Sequence, residues 1–284
     1  VESCPRSPRQ RDVGCPPAEV ACRLADRQQG RDVSLSDRVG RAERLPAILA
    51  AVYAAYGPEG CVEPEPGGSG VAAGLPLEAI RLARLVADVL PDEPEPAGLL
   101  ALMLHREARR SATRAGGRFV PLNEQDVSAW DRRSLYEAER TLARAARLTG
   151  VDRSRVGRYQ LEAAIQSAHS APAFGFPVDR SAVVLLYDRL LAAAPSAGAA
   201  VARAAALAAA GDAEAGLDAL DRFATDAGDR LAAFRPYHVV RAELSAQTGN
   251  PVVAAAAFRL AAGLSVDRAV RTHLLTRAAE CEHA

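Results

Sequence analysis

"LAAAGDAEAGLDALDRF" at 207–223 and "SAQTGNPVVAAAAFRLA" at 245–261 follow one plan. Each ends a helix at a glycine, Gly211 or Gly249, and starts the next at an Asp or Asn cap. Small residues come first in the new helix and an aromatic further on. The two glycines stand 38 residues apart, in the range of helix-pair repeats. A single helical hairpin leaves an apolar face wet. Several stacked side by side bury it, and helices approach closely where Ala or Gly sits. "LPDEPEPAGLLALML" and "APSAGAAVARAAAL" echo each other in the same way, each with a proline before a helix rich in small residues. The expected fold is therefore all-α, a superhelical stack of antiparallel helix pairs.

Composition agrees with that reading. Of 284 residues 49% are hydrophobic and only 5% aromatic, and alanine, the strongest helix former, recurs in runs. Formal net charge is +0, and every strongly basic side chain is an arginine, which argues against a general attraction to nucleic acid or membrane. Cys4, Cys15, Cys22, Cys61 and Cys281 form an odd set with no C-x-x-C pair, so neither a disulfide framework nor a zinc ribbon is expected. A cytoplasmic location fits such cysteines. Charged residues interrupt every apolar run before the ~20 needed to span a bilayer, and the opening residues lack a signal-peptide core.

Proline and glycine punctuate the N-terminal half. Residues 1–13 read as disordered, and "GPEGCVEPEPGGSGVAAG" at 57–74 reads as a break that cannot continue a helix. Between them "LPAILAAVYAAYG" predicts a helix with Pro46 in its first turn, Gly57 beyond its end, and Ile48, Leu49, Val52, Tyr53 and Tyr56 on one buried face. "LPLEAIRLARLVADVLP" and "EPAGLLALMLHREARR" predict a helical pair. Around Gly116-Gly117 the chain reads as a small hairpin or a plain loop. From Asn123, taken as an N-cap, a helix is expected to about Thr149, with Leu122 stapled onto Val127 and Trp130 on its apolar stripe.

Chemistry-bearing patterns are sparse. His105, His169, His238, His273 and His283 are scattered, with no ligand spacing, and no phosphate-cradling or nucleophile-elbow motif occurs, so neither enzyme, metal nor cofactor is expected. "YQLEAAIQSAHS" places Tyr159, Glu162, Gln166 and His169 along one helix, the last three on one face. They form either a solvated face or a polar stripe lining a partner groove. "PPAEVACRL" and "VSLSDRVGRAER" read as two short helices. Arg38, Arg41 and Arg44 repeat every three residues on the second, where arginines can reach phosphates or guanine edges.

Six separated segments, "LLALMLHREARR", "NEQDVSAWD", "GRYQLEAAIQSAH", "LLYDRLLAAAPS", "AGLDALDRF" and "YHVVRAEL", together resemble one known family. It is the tetratricopeptide-like C-terminal extension of a group of extracytoplasmic-function RNA polymerase sigma factors. The resemblance runs from about residue 45 to the C-terminus, and it implies residues 14–44 as a helix-turn-helix remnant before an extension at 45–284. Carried over from the family, Ser34, Ser36, Arg38, Arg41 and Arg44 are the DNA-contact candidates. Neighbouring acids offset these arginines and "DRQQGRD" lengthens the turn, so promoter DNA is expected to bind weakly at most. The domain by which such factors grip the polymerase has no counterpart in this sequence. The resemblance implies a transcription regulator whose stack binds the polymerase, a sigma core or a partner peptide in its concave face. A free-standing scaffold for an unrelated protein is the alternative.

Overall fold

A computed structural model describes residues 44–57, 70–150 and 156–283 of the chain. The expected disordered opening, and Ser34, Ser36, Arg38 and Arg41 of the helix-turn-helix, lie outside these residues. Arg44 lies inside them, helical and exposed. The chain divides into two compact units, 1–50 and 51–284. In the first, residues 44–50 are helical, and Ile48, expected on a buried face, is 45% exposed.

Among its described residues the second unit is all-α apart from one small hairpin. It starts with helical residues 51–56 (α1), closed by Gly57, whose φ of 84° is the left-handed conformation a helix-ending glycine supplies. Then come α2 (Gly70–Val89), α3 (Pro94–Ala108), β1 (Arg114–Ala115), β2 (Arg118–Phe119) and α4 (Arg132–Thr149). After α5 (Arg158–Ser170) follow α6 (Arg180–Ala193), α7 (Ala197–Ala209), α8 (Ala213–Ala227), α9 (Arg235–Gln247), α10 (Pro251–Gly263) and α11 (Arg268–Glu282). Helices pack in sequence order: α3 against α2, α4 and α5; α7 against α6, α8 and α9; α10 against α9 and α11. The result is a stack of antiparallel helix pairs, with separate apolar clusters between successive members.

Side chains at the turns start five of these helices. Asp131, Asp179, Ser196, Asp212 and Asp267 each accept a backbone N–H from the first turn of α4, α6, α7, α8 and α11. Gly211 and Gly249, at φ 103° and 76°, make equivalent turns. The requirement for small residues is steric. A Cβ on Gly216 would come within 2.6 Å of the Ala204 carbonyl oxygen, and Ala254 takes its place one repeat later, fully buried. Leu220 and Phe258, also 38 residues apart, are both fully buried. The structural partner of Phe258 is thus a leucine rather than the aromatic Phe223.

Two boundaries differ from expectation. Helix α2 begins at Gly70, inside the expected break, and contains Pro76. Proline removes one backbone bond, a loss the remaining turns of a 20-residue helix outweigh. Asn123 caps nothing. Two 3-10 turns, Leu122–Glu124 and Val127–Ala129, precede α4, and the true cap is Asp131. Asp126 accepts from the Ser128 backbone and hydroxyl, both at 2.8 Å, which closes a tight local turn. Extended backbone at Gln125 and Trp130 ends each 3-10 turn, and Leu122 stays 38% exposed rather than stapled. Trp130 is 4% exposed among Ala108, Ala112, Leu135 and Ala173, so it is core, held by a loop.

Candidate functional site

The polar stripe expected on α5 lies against α3. Tyr159 is 5% exposed and meets the Tyr53 ring edge-on at 5.8 Å. Glu162 accepts from Arg158 at 2.6 Å, and Gln166 accepts from the Arg109 guanidinium. His169 is half-buried, and burial, then the Arg109 charge, lowers its pKa to about 4. The stripe is neither fully solvated nor an open groove wall.

Beside it lies a polar row that sequence spacing did not reveal. Ser170 and His105 are both fully buried, with Ser170 Oγ 3.2 Å from His105 Nδ1; the Glu139 carboxylate stands 3.5 Å from His105 Nε2. Burial lowers the His105 pKa to about 3, so the ring is neutral and its contact with Glu139 is no ion pair. The Ser170 hydroxyl also lies 2.8 Å from the Gln166 carbonyl, one turn back on its own helix. An activated serine needs access for substrate, and here hydroxyl and ring are both fully buried. The row is therefore a packing device between α3, α4 and α5.

An open site lies elsewhere. A groove of about 1370 Å³ runs between the β1–β2 hairpin and the start of α11. Its two walls meet through an ion pair between Arg114 and Asp267 and an edge-on contact of Phe119 with His273, centroids 5.5 Å apart. Burial would raise the Asp267 pKa; the Arg114 hydrogen bond and charge, with the Val270 and Ala269 N–H groups, hold it below the usual carboxylate range. Arg118, Glu124, Val266 and Arg268 line the groove and are exposed, Val266 at 79%. The walls offer apolar contact with both signs of charge nearby, which suits a polypeptide segment. The hairpin was one of two open readings of the sequence, but its pairing with α11 is not. Among the described residues no cluster of His, Cys, Asp or Glu could hold a metal ion, and no helix is long and apolar enough to cross a membrane.

Fold and groove define a helical-repeat protein built of stacked antiparallel pairs. Comparison with known proteins adds that residues 44–146 match a family of unknown function, DUF6596. An uncharacterized protein of Rhizobium meliloti (strain 1021) is 35% identical over 232 residues, which is 81% of this chain and 52% of that protein. The chain thus spans about half the length of the curated relative it matches. No solved structure matches.

Proposed function

We propose that the chain is a protein-interaction module related to the helical extension of extracytoplasmic-function sigma factors, and that it acts in transcription rather than as an enzyme. Its partner is RNA polymerase or a sigma core, engaged through a peptide segment in the groove between the hairpin and α11. The groove itself carries the reading, because it combines an exposed apolar side chain with unburied charges of both signs at one end of a stack. The order of the six resembling segments supports the sigma-factor relationship, and a relative of about twice the matched length leaves room for a core domain. On this reading the protein works in the cytoplasm and binds promoter DNA weakly by itself.

The test is co-purification from a bacterial extract with the full chain as bait. Polymerase subunits or a sigma core are expected on the wild-type bait and at least tenfold reduced on a Val266→Glu, Arg118→Glu bait. Consistent absence of both from the wild-type bait would rule the reading out. Mobility-shift assays at graded salt should show no sequence-selective DNA complex.

A further inference from the structure

The outer face of α2 is apolar in a pattern that the described residues do not cover. Ala79, Ile80, Ala83 and Ala87 are buried on the side where α2 packs on α3. Leu75, Leu82, Leu85 and Val89 point away, at 49%, 48%, 58% and 63% exposure. Their spacing of seven, three and four residues is the seam of a two-helix coiled coil, with Leu75, Leu82 and Val89 at one seam position and Glu78 and Leu85 at the other. Four large apolar side chains in one row over four turns are more than the scattered exposure a monomer surface carries.

We infer that this face joins two copies of the chain, α2 against α2, in a two-fold antiparallel pair. Charge complementarity selects the occupant and the direction. Arg81 and Asp88 both flank the seam on its solvent side, seven residues apart and of opposite sign. In an antiparallel pair these flanks face each other, so Leu82 meets Leu85 of the second copy while Arg81 meets its Asp88, twice by symmetry. A parallel pair would set Arg81 against Val86 and leave both charges unmatched. Glu78, which pairs with Arg81 at 2.5 Å in the single chain, takes the outermost layer of the seam, opposite Val89 of the second copy. A single four-turn seam lies near the lower limit for specific association, about 1,000 Å² of total buried surface, so the dimer is concentration-dependent.

Sedimentation of the full chain from micromolar to several hundred micromolar concentration tests this. The wild type should pass from 29.9 kDa to twice that mass. Leu82→Glu with Leu85→Glu should stay at the lower mass with unchanged helical circular dichroism, since both side chains are exposed. Arg81→Glu alone and Asp88→Arg alone should each weaken the dimer at least tenfold, and the two together should restore it. A wild type that stays monomeric throughout, or a dimer indifferent to the two leucine substitutions, overturns the proposal. If the reversed charges fail to restore association, the antiparallel register is wrong.

Discussion

At the scale of single residues, two rings withdrawn from water, His105 in the polar row between α3, α4 and α5 and His169 on the α5 stripe beside it, make the fold sensitive to acid. His105 and His169 titrate near 6.5 in an unfolded chain but at about 3 and about 4 here, in both cases first because burial disfavours the charged ring. Between those values the unfolded state binds more protons. Stability is therefore full above about pH 7 and falls as the pH drops from 6.5 toward 4, by up to about 1.4 kcal/mol per pH unit for each ring. Glu95 works in the opposite sense: burial raises its pKa, so it favours the fold as it protonates. The lowered pKa of Asp267 removes stability only in more acid solution, as that carboxylate takes up its proton. Denaturant titrations at pH 7, 6, 5 and 4.5 should show this slope, and His105→Asn with His169→Asn should flatten it. An unchanged slope in the double variant would mean that other groups carry it. Neither ring's role was legible beforehand, since a lone histidine in a helix reads alike whether its neighbours bury it or leave it wet. Trp130 was legible as core because of its size and apolar neighbours, although Asp126 and Asp131 mark two short starts where one long one was expected.

At the scale of elements, what sets the start of α5 comes from another helix. Its N-cap, Gly157, has no side chain to offer, and the first turn instead donates to Glu95 of α3, from the Tyr159 and Gln160 N–H groups at 3.1 Å each. Two glycines make room for this. A Cβ on Gly157 would fall 2.2 Å from the Glu95 carboxyl carbon, and one on Gly98 would fall 2.7 Å from the Gln160 backbone nitrogen. Glu95→Ala leaves two buried donors unmatched and should cost about 1–3 kcal/mol, with faster amide exchange confined to the start of α5. Gly98→Ala should cost about as much through backbone displacement, without α5 losing its cap. If both variants unfold at the wild-type denaturant midpoint, the two helices are not locked in this way. Caps supplied in sequence, such as Asp179, Ser196 and Asp212, are readable from local spacing alone. A carboxylate supplied from more than sixty residues away is not, because no periodicity links it to the turn it closes.

At the scale of the whole 51–284 unit, the stack is fastened by its least regular piece. The repeat plan made the all-α stack legible, since several turns carry their own capping residue and each helix packs on the next one or two along the chain. The β1–β2 hairpin breaks that rule by joining Arg114 to Asp267, 153 residues on. Asp267 also accepts from the Ala269 and Val270 N–H groups, so one carboxylate both starts α11 and ties it to the hairpin. Both partners are largely buried, which limits screening by salt and makes the tie worth more than an exposed pair. Arg114→Ala with Phe119→Ala removes both contacts and leaves the Asp267 cap in place. Amide exchange in α11 should then quicken at least tenfold while α3 to α5 remain as protected as before, because their contacts do not pass through the hairpin. The groove has these same two elements as walls, so the variant should also weaken any ligand bound there. Unchanged exchange in α11 would show that its packing on α10 suffices to hold it, and that the hairpin rests on the stack without fastening it.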